Sequence, residues 1–292
     1  MNFRTVLITK HCKLDYKMGY LVIRSNEDTR RVFLDEIAIL IIENIAVSIT
    51  CYLLKELISK KIKVIFCDEK RNPLSELISY YGSHDTSLKV QEQFSWKQQT
   101  KNNVWQKIVE NKIIQQANVL KKYNFYEEFI SLFVFSKEVK AGDSTNREGH
   151  AAKVYFNNIF GKEFTRNASS DFNPCLNFGY GILLSAFNRE IVSSGYITQV
   201  GIFHKNQFNQ FNFSSDLMEP FRPLIDDVVK YHDLQVLCKN AKYLILDSLN
   251  ERVTIDGTKQ TVLNAIKIYT RSVFDALNSN DSSKIKFYTN EL

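Results

Sequence analysis

A chain of 292 residues is long enough for one large domain or two ordinary ones, and with 44% hydrophobic, 24% charged and 13% aromatic residues it falls outside the disordered and fibrous classes. The net charge of +6 is dispersed, with 15 Lys+Arg against 12 Asp+Glu in the first hundred residues and 23 against 20 in the rest, so there is no basic tail and a polyanionic partner is permitted, not required. Five cysteines at wide spacings, none in a C-x-x-C pair, argue against a secreted disulfide framework and a thiolate zinc site, and no apolar run approaches the ~18 residues that span a bilayer, so the expectation is a soluble protein of the cytoplasm with no membrane partner.

In chain order, short β-rich runs come first. Thr5–Thr9 reads as a strand, and Leu14–Tyr16 and Tyr20–Arg24 as a hairpin across Lys17-Met18-Gly19, where Gly19 supplies backbone freedom. Arg31–Leu34 and Ile37–Ile42 follow, the second apolar at consecutive positions and so expected to be buried on both faces. Helical spacing over Tyr52–Ile58 and a strand at Lys63–Cys67 complete a β-α-β passage. Pro73 and the stretch Tyr80–Asp85 then break the pattern and mark an elbow. Beyond it, the spacing predicts helices around Val104–Leu120, Phe125–Phe135 and Gly149–Phe160, a helix entered at Asn173-Pro174 and running buried through Phe187, another after Ser215, and one over Val262–Leu277. Only Val253–Thr258, with its Asp256-Gly257 turn signal, interrupts them. The expected class is α+β: a small β-rich N-terminal domain over 1–80, a linker or elbow over 81–90, and a larger all-helical domain over 91–292.

Five histidines limit where a catalytic or metal centre could stand. His11, His84 and His232 lie in connections or near a helix end, as ordinary surface residues do. His204 is followed by Asp216 and Glu219, three apart and therefore on one face of a helix starting at Ser215, where carboxylates also suit the positive helix end. The same spacing equally suits Ser215 and Asp216 as helix caps with Glu219 in solvent. Upstream, Asn146–Tyr155 carries Glu148 into an amphipathic helix two residues before His150, with Asn146 available as a plain N-cap. By donor type, Glu148, His204 and Glu219 suit a hard divalent cation such as Mg²⁺ or Mn²⁺, and zinc as well. Arg147, Lys153, Lys205 and Arg222, close by in sequence, suit phosphate and disfavour zinc only indirectly. Amides in the Asn206–Phe213 tract could meet phosphates or base edges, while its phenylalanines either anchor the loop or stack on bases, anchoring being favoured.

The segment Asn146-Arg-Glu-Gly-His-Ala-Ala152, the tract Phe208-Asn-Gln-Phe-Asn-Phe213 and Ser215-Asp-Leu-Met-Glu-Pro-Phe-Arg-Pro223 resemble the integrase of CRISPR adaptation, the Cas-one family, in its type II form. Ile65-Phe-Cys-Asp-Glu-Lys-Arg71 and Tyr81-Gly-Ser-His-Asp-Thr-Ser-Leu88 agree with it, so the resemblance covers most of the chain, although no diagnostic motif falls beyond about residue 235. It implies a β-rich N-terminal domain that makes a homodimer and a helical domain whose Mg²⁺ or Mn²⁺ is held by Glu148, His204 and Glu219, with Asp216 an accessory acidic residue. The implied activity is a metal-dependent DNA endonuclease and integrase: a 3′-hydroxyl of duplex prespacer DNA attacks a phosphodiester of the CRISPR leader-repeat DNA, and water in its place gives hydrolysis. Implied partners are a dimer of the small Cas-two protein and further type II adaptation proteins. Arg147, Lys153, Lys205 and Arg222 are the candidate DNA contacts. A non-catalytic DNA-binding scaffold is the alternative, and a hydrolase of a smaller phosphate ester a third reading.

Overall fold

The computed structural model describes residues 4–69, 71, 73–80, 83–166 and 171–289, so Lys70, Tyr81 and Gly82 of the motifs above lie outside the described residues. The chain divides into two units, Met1–His84 and Asp85–Leu292.

The first unit runs β1 (Arg4–Ile8), β2 (Lys13–Lys17), β3 (Tyr20–Arg24), β4 (Thr29–Phe33), β5 (Ile37–Ile42), β6 (Ser48–Ile49), α1 (Cys51–Ser59), β7 (Lys63–Cys67) and β8 (Pro73–Leu77). Met18 and Gly19 both take positive φ, 50° and 85°, the pairing that lets a two-residue turn follow the strand twist, and Lys17 accordingly faces Tyr20. One sheet has the order β4-β3-β2-β6 and the other β1-β5-β7-β8, in which β1, β5 and β7 are parallel and β8 antiparallel. A parallel step from β5 to β7 needs a crossover, and α1 supplies it, started by Thr50, whose side chain accepts from the Leu53 N–H. Every residue of β5 is buried, as its unbroken apolar run leads one to expect of a strand covered on both faces.

The second unit runs α2 (Thr86–Ser95), α3 (Gln98–Lys122), α4 (Tyr126–Lys137), α5 (Arg147–Phe160), α6 (Asn173–Ser193), α7 (Asn212–Met218), α8 (Arg222–Tyr231), α9 (Lys239–Asp247), β9 (Arg252–Ile255), β10 (Thr258–Thr261), α10 (Val262–Ser279) and β11 (Tyr288–Thr289). The expectation of an all-helical domain is corrected here. Val253 and Ile255 alternate into the core, Asp256 and Gly257 turn with φ of 51° and 70°, and β11 returns to give an antiparallel sheet of order β10-β9-β11. The turn signal was the visible part of a hairpin whose third strand comes from 33 positions beyond Ile255, too far for a local pattern to reveal. α2 and α9 are likewise additional to the helices read from the spacing. Among the described residues no helix is long and apolar enough to cross a membrane.

The core of this unit is built on α3 and α6. Trp105, Ile108, Val109 and Ile113 of α3 and Phe178, Leu183 and Phe187 of α6 are buried. Gly179 lets α6 approach α8 and α9: a Cβ there would meet Ile225 Cγ2 at 2.4 Å and Ile245 Cγ2 at 3.3 Å. Replacing a helical glycine by alanine ordinarily gains up to ~1 kcal/mol, whereas forcing a methyl into a filled core costs ~1–3 kcal/mol. With Ile225 itself buried the second effect wins, and Gly179→Ala is expected to lower the urea unfolding midpoint with an unchanged denaturant slope, a net loss of about 1–2 kcal/mol.

Candidate active site

Glu148 enters on the first turn of α5, and the cap of that helix is not the residue its sequence suggests. Asn146 stands at the N-cap in the left-handed region, φ 51°, and its side chain makes no capping bond. Asp143 does the work instead, its Oδ1 accepting from Arg147 N at 2.8 Å and its Oδ2 from Glu148 N at 3.1 Å. A carboxylate at a helix N-terminus meets both free N–H groups and the positive end of the helix.

His204 lies on the irregular segment between α6 and α7, and that segment is held from both sides. Gln93 of α2, fully buried, donates through Nε2 to the carbonyls of Ile197 and Val200 and accepts from Ile197 N. Asp216 of α7, also fully buried, accepts from the N–H groups of Ile202, Phe203 and His204 at 2.7, 3.0 and 3.0 Å and pairs with His204 Nδ1 at 2.5 Å. α7 starts at Asn212, not at Ser215, so Asp216 lies past its first turn and serves the His204 loop; it is not a cap of its own helix. The amides of the Asn-rich tract bind backbone: Asn212 Nδ2 donates to the carbonyls of Gln199, Asn206 and Asn209, and Asn206 and Asn209 accept from Phe208 and Phe211 N–H. The phenylalanines divide, Phe213 buried and Phe208 85% exposed. Phe203 stacks on buried Trp105, centroids 4.4 Å apart, and His204 meets the Trp105 ring edge-on.

Glu219 opens a short 3₁₀ turn, Glu219–Phe221, between α7 and α8. Its carboxylate is buried against two cations. Arg222 Nε lies 2.9 Å from Oε1, with its guanidinium over the Tyr180 ring, and Lys112 Nζ pairs with Oε2. The same Lys112 ammonium donates to Glu148 Oε1 at 2.6 Å. Two carboxylates from separate segments thus meet on one buried lysine of α3. Burial alone would push the Glu219 carboxyl up, yet Arg222 and Lys112 more than reverse this and hold it below its ordinary value. For Lys112, burial works downward and the charges of Glu219 and Glu148 outweigh it, so its ammonium is held above the ordinary value. The His204 imidazole is raised first by its bond to Asp216, against the opposing effect of burial, with further contributions from Glu219 and Glu148, which places both carboxylates within its electrostatic reach.

Among the described residues no three His, Cys, Asp or Glu side chains close on a single point. What the fold assembles is a carboxylate pair closed on an ammonium, with an imidazole nearby whose Nδ1 is already engaged. That donor set fits a cation: Lys112 Nζ stands between the two carboxylates as a small cation would, and Glu219 Oε2 is buried with no aligned hydrogen bond. Asp216 engages Nδ1 and not Nε2, the arrangement common to histidines that bind metals.

Of the basic residues expected at phosphate, Lys153 and Lys205 are exposed. Lys205 lies near Lys101, whose ammonium is lowered by burial and then by the Lys205 charge. Arg147 pairs with Glu138 at 2.8 Å and lies over Phe135, and Arg222 is engaged with Glu219 and Tyr180 as part of the site wall. Lys112, Asp143, Trp105 and Lys101 escaped the sequence reading. Lys112 had a visible signal: it follows Trp105, Ile108 and Val109 on the apolar face of α3, where the 3.6-residue period calls for an apolar side chain.

The family described as CRISPR associated protein Cas1 matches residues 5–232 of the chain. A CRISPR-associated endonuclease Cas1 of Neisseria meningitidis serogroup C (strain 8013) is 31% identical over 291 residues, covering 98% of this chain and 96% of that protein. Among solved structures, a casposase bound to integration product superposes with a TM-score of 0.79 at 19% identity, covering 97% of this chain and 94% of that one. A Cas6-RT-Cas1–Cas2 complex gives a TM-score of 0.74 at 18% identity over 99% of this chain and 36% of the other. At these identities the two structures establish likeness of fold.

Two outcomes follow from the packing. A Cβ on Gly201 would lie 2.6 Å from Asp216 Oδ2 and 2.7 Å from the His204 carbonyl. Gly201→Ala should therefore move the loop off Asp216, cost ~1–3 kcal/mol, and let the His204 imidazole fall back toward its ordinary pKa in an NMR titration. Asp226 of α8 is buried under Tyr180, and burial lifts its carboxyl to about 6 although the Tyr180 hydrogen bond pulls the other way. Because this folded value lies above the unfolded ~3.9, its favourable contribution is complete below pH ~4 and is lost as pH rises to ~6. The melting-temperature difference between Asp226→Asn and the parent should grow in favour of the variant across that window and level off above it.

Proposed function

Because the chain belongs to the CRISPR-associated Cas1 family, we propose that it is a CRISPR integrase and endonuclease that joins the 3′ ends of duplex prespacer DNA to the leader-repeat DNA of the array, with Glu148, His204 and Glu219 as ligands of Mg²⁺ or Mn²⁺. The observation that carries this reading is the meeting of two carboxylates from separate segments on one buried cationic atom, beside an imidazole held by its Nδ1. A divalent ion bound there supplies charge neutralisation at the attacked phosphodiester and a more nucleophilic 3′-hydroxyl or water.

The remaining work belongs to side chains of this chain. Asp216 fixes the tautomer and direction of the His204 ring. Arg222 keeps Glu219 ionised in a buried place. Lys101, Lys205 and Lys153 offer positive charge to the phosphates flanking the reacting one, which positions the duplex without reading its sequence. A 3′-hydroxyl delivered to this site gives strand transfer, and water gives cleavage.

The motif resemblance further supports a type II form, a homodimer formed through the N-terminal unit, other type II adaptation proteins as partners, and work in the cytoplasm. A solved complex that pairs the fold with Cas2 supports Cas2 as a partner, and the motif resemblance implies that it joins as a dimer.

The test is strand transfer of a labelled prespacer into a supercoiled, repeat-bearing plasmid with Cas2 and Mn²⁺. Glu148→Gln and His204→Ala should each lower the rate by at least about a hundredfold, while their affinity for duplex DNA in EDTA is no weaker than that of the parent. Normal transfer by either variant would refute the ligand assignment. DNA binding indifferent to EDTA, with no product under any divalent ion, would favour a non-catalytic scaffold.

A further inference from the structure

Lys112 does not belong to the ligand set proposed above, yet it occupies the centre of it. Its side chain is 11% exposed and its ammonium pairs with both Glu148 and Glu219. With Arg222, the four groups carry two positive and two negative charges, so this quartet is neutral before any ion enters. Lys112 Nζ stands between Glu148 Oε1 and Glu219 Oε2, the place a divalent ion held by both oxygens would take, and an ammonium and a dication at that place repel each other. Lys112 must therefore leave the two oxygens, and it does so with a charge that cannot stay unpaired in a buried place.

We propose that Lys112 is a positioning residue that occupies the carboxylate pair in the metal-free protein and couples metal binding to DNA binding. In the resting protein its ammonium holds the two carboxylates together. When a divalent cation takes the carboxylates, the displaced ammonium, tethered to α3 by a four-carbon stem, needs a new anion, and the phosphodiester backbone brought to the site provides one. Adding two positive charges to a neutral quartet is unfavourable without that anion, so each ligand strengthens the other by the same factor. The site thereby resists arming in the absence of DNA. This inference rests on the metal-centre reading under Proposed function and goes beyond it in assigning a role to a residue that is not a ligand.

The experiment measures Mn²⁺ affinity of the full-length protein from the electron paramagnetic resonance of the free ion, alone and with a short duplex DNA, subtracting ions bound by the duplex itself. The parent is expected to bind Mn²⁺ at least about tenfold tighter with the duplex than without it. Lys112→Met should bind Mn²⁺ at least about tenfold tighter than the parent without DNA and gain little more from the duplex. Its melting temperature should drop in EDTA, where the two carboxylates have lost their shared ammonium, and recover with Mn²⁺. Equal or weaker Mn²⁺ binding by Lys112→Met would overturn the proposal. Should that variant fail to fold, Lys112→Gln repeats the comparison, and a parent whose Mn²⁺ affinity ignores the duplex overturns it without any variant. If parent and variants alike bind no Mn²⁺, the metal centre itself falls and this inference with it, a result distinct from an ion that binds but does not respond to residue 112.

Discussion

Burying a carboxylate is so costly that it happens only where positive charge or hydrogen-bond donors meet it, and the second unit of this protein places its acidic side chains under that constraint. Glu219 is inside the protein because Arg222 and Lys112 are there with it, and Lys112 is inside because Glu219 and Glu148 receive its ammonium. Taking any one of the four away leaves a buried charge without a counterpart, so the helices that carry them, α3, α5 and the start of α8, are bound to a common geometry by electrostatics as well as by packing. Net pairing of this kind adds little to stability compared with a well-packed apolar cluster. Its consequence is positional: it holds oxygen donors close together at a place with few other ways to satisfy them.

The imidazole is brought to the same region by a different device. The segment carrying His204 has no regular structure of its own, and its backbone N–H groups need acceptors. Asp216 accepts from three successive N–H groups and from the ring, and Gln93 does the corresponding work at the start of the segment. Gly201 allows the carboxylate close enough. Loop conformation and ring orientation are therefore set by one buried carboxylate, so the loop cannot shift without turning the histidine. The asparagine-rich tract extends the principle, its amides closing the loop on itself and leaving Phe208 as its exposed aromatic.

These two devices give physical content to family membership. A site that must handle a phosphodiester needs donors for a hard cation, a fixed nitrogen, and positive charge nearby that is not consumed by the donors. Under the proposed function, Glu148 and Glu219, His204 on Asp216, and the pair Lys101 and Lys205 are the groups that would answer these three needs. The division of labour among the basic residues is the informative part: Arg222 and Arg147 are tied to acidic neighbours within the unit, and Lys153 and Lys205 face outward.

Much of this molecule is readable from local pattern. The unbroken apolar run of β5, the Met18-Gly19 turn, the helical periods of α3, α5, α6 and α10, and the chemistry-bearing types at Glu148, His204 and Glu219 depend on neighbours a few residues away, and sequence displays such neighbours directly. What it does not display is which distant groups satisfy each other. Asp143 capping α5 in place of Asn146, Asn212 starting α7 to close the loop before it, Asp216 serving a loop and not its own helix, the third strand at Tyr288, and Lys112 shared by Glu148, 36 positions away, and Glu219 are decisions of tertiary structure. The physical reason is the same in each case. Periodicity and turn propensity are properties of short segments, whereas the desolvation of a charge or an N–H group is settled only when the chain has closed around it and a partner from elsewhere has arrived.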